Sequence, residues 1–242
     1  MAKVFAVGLG PGGRKDMTVR AAEVLENCDV IAGYSVYIDL VKDQYKDKEF
    51  FSTGMTKEVE RCEAALEMAE QGKNVAVICS GDPGIYGMAA LLFELRGDRD
   101  IEIEIVPGVT AASGGAALLG APLNHDFAVI SLSDRLTPWE KIEKRLKAAA
   151  EADFVIAIYN PNSKGRPGYL ARACDILLEI IPEARVCGIT RNIGREGESF
   201  SVMTLKELKT AECDMFCTVF IGNSTTLDSE GRMISPRGYR HD

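Results

Sequence analysis

The sequence predicts an α/β protein built as two lobes, on three observations. Short apolar runs rich in β-branched residues recur along the 242 residues, each too short for a helix and most followed by a turn and then a helical pattern. A hydrophobic content of 46% and a charged content of 26% are those of an ordinary globular chain, long enough for a sizeable core. Around Gly120 to Asn124 the alternation pauses and then restarts, giving lobes of 1–119 and 120–242.

In chain order, Lys3 to Leu9 is the first strand, ending in Gly8, Gly10, Pro11, Gly12 and Gly13. A helix follows from Met17 to Glu26, with Val19, Ala22 and Leu25 on its buried face. Asp29 to Ala32 is a second strand, ending at Gly33 and Tyr34. Glu58 to Glu70 is an amphipathic helix whose Val59, Cys62, Leu66 and Ala69 face inward and whose Glu58, Arg61 and Glu67 face water. Val75 opens the central strand, which runs into Ser80, Gly81, Asp82, Pro83 and Gly84 and then an apolar helix. Asp82 suits an N-cap and Pro83 a first helical position. Ile101 to Val106 is the next strand. It leads into PGVTAASGGAALLG, a helix so rich in small residues that something must pack close to it.

The second lobe has strands at Phe127 to Leu132, Phe154 to Tyr159, Arg185 to Thr190, Phe200 to Met203 and Met215 to Ile221. Helices run from Thr137 and Pro138 to Ala150 and from Tyr169 to Ile181. The stretch GESFSVMTLKEL reads as a hairpin strand and a short helix, so this half is mixed rather than purely parallel. No internal repeat or low-complexity segment interrupts either half.

Composition narrows the function. No apolar run approaches the roughly 20 residues that cross a bilayer. Met1 to Val7 is too short for a signal peptide, which makes the cytoplasm the expected compartment. Seven cysteines without CxxC spacing fit reduced thiols; Cys213 and Cys217 lie four apart, lack further ligands and are expected in the core. Two histidines exclude a multi-histidine metal site, and no protein-bound metal is expected. A net charge of −8 argues against nucleic acid as a partner.

In open α/β sheets ligands bind outside the carboxyl ends of strands, so the SGDPG loop is a ligand-loop candidate; a tight strand-to-helix turn is the plainer alternative. GLGPGG formally matches the dinucleotide fingerprint G-x-G-x-x-G. The second strand, however, ends in Gly33 and Tyr34 rather than an acidic residue, and Pro11 disturbs a loop meant to present backbone N–H groups. The dinucleotide reading is rejected.

The motifs taken in order are more specific than any one of them. GLGPGG, DVIAGYSVY, SGDPGIYGMA, VPGVTAASGGAALLGAPL, HDFAVISLSDRLTPW, YNPNSKGR and ISPRGY together resemble the tetrapyrrole methyltransferases over essentially the whole chain. These are two-lobed enzymes of corrin and sirohaem synthesis that depend on S-adenosylmethionine. Within them the chain is most similar to the enzymes that methylate C-17 of precorrin-3B or cobalt-factor III and contract the macrocycle. The resemblance implies the class III methyltransferase fold, with an active-site trough between lobes and S-adenosylmethionine bound folded. It further implies an anionic tetrapyrrole partner and a homodimer, while the charge and the lack of a long apolar run leave no nucleic acid or membrane partner expected.

Carried over by motif, the donor site falls on Pro11, Ser80, Gly81, Asp82, Ile85, Thr110, Ala111, Tyr159, Asn160 and Ile193, with Asn192 beside the last. Uroporphyrinogen-type members carry an aspartate after the second strand and a lysine after the third. Here Tyr34 and Met55 stand in those places, so a different macrocycle or proton path is implied. Tyr34, Asp82 and His125 are the candidate proton-transfer residues, followed by Tyr37 and Asp134. His125 alternatively caps the strand it precedes, and Tyr34 and Tyr37 alternatively pack. Because the whole chain is acidic, attraction for a carboxylate-rich substrate must be local. Arg14, Arg135, Lys164, Arg166 and Arg195 are the substrate-binding candidates, with Lys15 and Arg191 beside them. Arg237 and Arg240 either join that surface or pin the tail. Alternatives are a sibling enzyme acting at C-11 or C-20, a non-catalytic tetrapyrrole carrier, and a diphthamide-type protein methyltransferase, whose pattern DVIAGYSVY and SPRGY fit poorly.

Overall fold

Five parallel strands form the first unit, Met1–Ala111: β1 (Lys3–Gly8), β2 (Val30–Tyr34), β3 (Glu49–Thr53), β4 (Val75–Cys79) and β5 (Glu102–Val106). The computed structural model describes residues 2–163, 165 and 167–239. Lys164, Arg166 and Arg240 therefore lie outside the described residues. The strand order is β3-β2-β4-β1-β5, with every pairing parallel. A parallel sheet covered on both faces needs apolar residues at every position of its central strand. Val75 to Cys79 meet that demand, all five being buried.

Alternation then sorts residues between the faces. Val30, Ala32, Val75 and Val77 pack with α3 (Glu58–Glu70) and α4 (Ala89–Arg96). Ile31, Ala76 and Ile78 pack on the opposite face with α1 (Val19–Asn27) and with α2 (Ser35–Ile38). α1 starts at an N-cap, Thr18, whose Oγ1 accepts from Ala21 N at 3.1 Å and donates to Pro107 O at 3.1 Å. Two helix readings are corrected here. Val19 and Val59, expected inward, are 76% and 55% exposed, each in the first turn of its helix. Arg61, expected in water, is 4% exposed.

The second unit, Ala112–Asp242, contains most of α5 (Ala111–Leu119), then β6 (Gly120–Ala121), β7 (Phe127–Ser131), α6 (Trp139–Glu151), β8 (Val155–Tyr159) and α7 (Tyr169–Leu178). It continues through β9 (Val186–Arg191), β10 (Ser199–Thr204), α8 (Leu205–Leu208) and β11 (Cys217–Ile221). A closing hairpin is β12 (Leu227–Ser229) and β13 (Arg232–Ile234). The main sheet has order β10-β9-β11-β8-β7. β7 and β8 are parallel, while β11 runs against both β8 and β9, and β10 folds back on β9. The mixed character expected from the hairpin pattern is present. β13 pairs with both β12 and β6 in a small separate sheet.

The two units divide between Ala111 and Ala112, within the first turn of α5. The reason is packing. Ala112, Ala116 and Leu119 cluster with Ala157, Phe220 and Met233, and a Cβ at Gly115 would stand 2.8 Å from the Phe220 ring and from Thr190 Oγ1. The close neighbour demanded by this small-residue helix is, at Gly115, a buried aromatic ring.

Candidate active site

The carboxyl ends of β1, β4 and β5 meet through bare main chain. Leu9 N donates to Cys79 O at 2.9 Å, and Gly10 and Gly81 exchange N–H···O bonds of 3.1 and 2.8 Å. Both glycines adopt left-handed backbone, φ +73° and +68°, which a side chain would strain. A Cβ on Gly8 would lie 2.5 Å from Gly81 O and 2.7 Å from Gly108 N, and one on Gly108 would approach the same carbonyl more closely still. Three strand ends thus interlock around the Gly81 carbonyl.

Asp82 completes this junction. Its Oδ1 accepts from Gly84 N at 2.8 Å and its Oδ2 from Gly108 N at 3.1 Å, so one carboxylate ties the loop after β4 to the loop after β5. This corrects the capping expectation. α4 begins at Ala89 with Met88 before it, and Pro83 is not its first residue. Tyr86 at φ +54° reverses the chain, Gly87 lies against Pro83, and Ala89 N donates to Pro83 O at 3.0 Å. An extra loop therefore separates Asp82 from the helix, and it exposes Ile85 and Tyr86, at 38% and 58%. Pro11 is buried beside Gly10, while Ser80, Thr110 and Ala111 are half-buried at the same strand ends.

Neighbouring strand ends carry Tyr34 and Met55. Tyr34 ends β2 half-buried, its ring edge-on to Tyr37 with centroids 5.4 Å apart. Beyond β3, Arg61 reaches back from α3. Its Nε donates to Thr53 Oγ1 at 3.0 Å, its Nη2 to Gly54 O at 3.3 Å, and its Nη1 to the Met88 sulfur at 3.9 Å. The pattern misses this residue because arginine on an amphipathic helix is read as a solvated group. The signal was its spacing, i−4 from Ala65 and i−8 from Ala69, both buried.

In the second unit β8 and β9 each oppose β11, so β7, β8 and β9 all end at one edge. Tyr159 Oη accepts from Ala112 N at 2.7 Å, satisfying an amide at the start of α5. Asn160, at φ +53°, donates to Ser131 Oγ at 2.9 Å. Asn192, at φ +51°, donates its N–H to Phe216 O at 3.2 Å and accepts from Arg195 N at 2.8 Å. Ile193 between them is buried. Asp134 accepts from Tyr169 Oη at 2.6 Å. Among the described residues six non-glycines have positive φ; Thr56, Tyr86, Asn160 and Asn192 lie on loops that leave strand carboxyl ends. Strain concentrated there fits loops shaped for a task.

Two candidates stand elsewhere. His125 precedes β7, at the amino end of a five-residue strand and so about 17 Å along it from Ser131. Its Nε2 lies 2.6 Å from Pro236 O, and it lines a cavity of about 270 Å³ with Asp126 and Arg237. Arg237 accordingly sits with the tail contact. Arg14, although exposed, borders a cavity of about 150 Å³ with Glu26, Tyr45, Asp47 and Lys48. Among the other cations, Arg135 is exposed, and Arg195 lies over the Phe216 ring at 5.8 Å. Arg191 is paired with the Asp214 carboxylate. No group of three or more His, Cys, Asp or Glu among the described residues is arranged to hold a metal ion, and no helix there is long and apolar enough to cross a membrane.

A family model for the tetrapyrrole (corrin/porphyrin) methylases matches residues 3–209. The chain belongs to this family. This methylase is 49% identical over 96% of its length to a probable cobalt-factor III C(17)-methyltransferase of Salmonella typhimurium, 98% of which is covered. It is 39% identical to a precorrin-3B C(17)-methyltransferase of a Sinorhizobium species, over 98% of this chain and 96% of that one. Among solved structures, that of the methyltransferase CobJ superposes with a TM-score of 0.91 at 37% identity, covering 98% of this chain and all of that one. Other relatives are longer proteins, of which the methylase spans 45% in one case and 53% in another. The expected family and its class III methyltransferase fold are thereby established.

Proposed function

We propose that the protein transfers the methyl group of S-adenosylmethionine to C-17 of cobalt-factor III or precorrin-3B, with linked ring contraction, in cobalamin biosynthesis. The observation that carries this reading is the near full-length similarity to methyltransferases of that name, together with the matching fold of CobJ. The local chemistry agrees with it. Tyr34 ends β2 and Met55 follows β3, the places where the resemblance implies an acid and a base in uroporphyrinogen-type members, which points to a macrocycle handled by another proton path.

The residues present fit the donor. At Gly81 a Cβ would meet nothing closer than 3.7 Å, so the missing side chain leaves a cradle over the end of β4, with Ser80, Asp82 and Thr110 around it. Pro11, Ser80, Gly81, Asp82, Ile85, Thr110 and Ala111 are the proposed contacts in the first unit, and Tyr159, Asn160 and Ile193 in the second. S-adenosylmethionine brings an activated, electrophilic methyl group. What the chain contributes is position: loops locked by the glycine junction hold reactants in line, an effect worth up to about 7–11 kcal/mol. Asp82 is assigned the shaping of its loop, since both carboxylate oxygens already accept backbone N–H groups. Tyr34 remains the candidate for proton transfer. His125 is assigned to holding the tail through Pro236. The seven cysteines stand as free thiols, which suits a reducing compartment such as the cytoplasm.

The test is a single-turnover incubation with methyl-labelled S-adenosylmethionine, offering cobalt-factor III and precorrin-3B separately. Label in a ring-contracted product from the cobalt compound alone is the expected outcome. Turnover of the metal-free compound instead assigns the other branch. Donor binding without transfer to either overturns the C-17 reading in favour of a sibling specificity.

A further inference from the structure

Arg61 is a buried cation without a counter-ion. The residue is 4% exposed, and no carboxylate of the described residues pairs with its guanidinium. Arginine does not escape by losing its proton at physiological pH, so the charge persists. Burial lowers its pKa, partly opposed by the Glu58 carboxylate at a distance, which shows a group held where its charge is unwelcome. A buried charge lacking a partner is costly, and folds retain one where an ion or ligand completes it.

The donor inventory is also unfinished. A guanidinium carries five N–H groups in a planar fork. One goes to Thr53, one to Gly54 and one, weakly at 3.9 Å, to a thioether. One N–H on each Nη is left over, and a carboxylate is the group whose two oxygens can accept from both nitrogens. The surroundings allow access from one side. Gly54, whose carbonyl accepts from Arg61 Nη2, is exposed, and a Cβ built on it would meet no atom within 4 Å, so the chain next to the guanidinium borders open space. The position is the carboxyl edge of the first sheet, beside Met55 and the loop that ends at Met88.

We propose that Arg61, reached through the open space beside Gly54, is a subsite for one carboxylate side chain of the tetrapyrrole substrate. This rests on the reading of the substrate given above. It also supplies a local positive group that the described Arg14 and Arg191 do not, the first lining another cavity and the second being paired.

Uroporphyrin III, a non-reactive octacarboxylate, is the probe, titrated by fluorescence quenching against wild type, Arg61→Met, Arg61→Lys and Gly54→Val. S-adenosylhomocysteine affinity is measured in parallel as a check on the fold. Arg61→Met is expected to weaken porphyrin binding about tenfold or more, with donor affinity within about twofold. Arg61→Lys recovers part of the loss, because it keeps charge without the fork. Gly54→Val, which blocks the approach and leaves Arg61 in place, weakens porphyrin binding by a similar factor. Unchanged porphyrin affinity in Gly54→Val overturns the subsite even if Arg61→Met does not fold, as does a wild type that fails to bind the probe. Equal losses for porphyrin and donor in every variant also overturn it, since they indicate a structural clamp alone. The two proposals fail separately. Methyl transfer with unchanged KM in Arg61→Met and Gly54→Val leaves the function and removes the subsite; Arg61-dependent porphyrin binding without any methyl transfer does the reverse.

Discussion

Single residues at the strand ends do work that their types conceal. Asp82 looks like a helix cap or a ligand contact, yet its two oxygens join two loops. Asp82→Ala is expected to lose about 1–3 kcal/mol of stability, because Gly84 N and Gly108 N lose their acceptor; a urea titration reads this directly. A matching pair of glycine substitutions separates crowding from freedom. Gly108→Ala drives a methyl group into the Gly81 carbonyl and is expected to abolish soluble, folded protein. Gly54→Ala meets nothing, and its stability should stay within about 0.5 kcal/mol of wild type or rise slightly as the unfolded chain is stiffened. Comparing the two melting curves decides whether the junction is as tight as its distances imply. Arg61 shows how far residue type misleads: its helical spacing placed it inward, and its charge argued outward.

Elements with strong periodicity were legible, and short or unpatterned ones were not. The central strand Val75–Cys79 announced itself by five consecutive buried apolar residues. β3 did not, because an edge strand reading EFFST is only partly covered and carries a charge. β12 and β13, three residues each, fall below any periodic signal. The loop between Asp82 and α4 was hidden for another reason. A left-handed Tyr86 leaves no mark in the sequence, while an aspartate-proline pair before an apolar run imitates a helix start. Of the candidate site, the strand-end loops were legible as locations, but the hydrogen bonds that occupy Asp82, Tyr159 and His125 depend on distant partners. Tyr159 illustrates the consequence for α5. Tyr159→Phe leaves the Ala112 amide without its acceptor, and the helix start should fray, costing about 1–3 kcal/mol. Faster amide hydrogen exchange in the first turn of α5, with α6 unchanged, is the expected signature.

Over the whole molecule, buried thiols set the behaviour at high pH. Desolvation raises Cys28 to about 11 and Cys62, Cys79 and Cys174 to about 12, from an ordinary value near 9. Above pH 9 the unfolded chain releases these protons and the native one holds them, so stability is full below that pH and falls as it rises towards 11–12. Each thiol contributes a slope of about 1.4 kcal/mol per pH unit over its window. Urea midpoints measured from pH 8 to 11 should therefore drop steeply, and Cys62→Ala or Cys174→Ala should flatten the decline, whatever its effect at neutral pH. An unchanged slope in both variants counts against the account. The glycine junction has a different kind of consequence, for how this chain can vary. Most crowded contacts in a core can be relieved by trimming the neighbour when one partner grows. Gly8, Gly81 and Gly108 press on one another through main-chain atoms alone, and a peptide group cannot be trimmed. No second substitution restores what the first removes, so the bend of these strand ends is closed to gradual redesign, and changes of specificity have to come from the side chains hung around it.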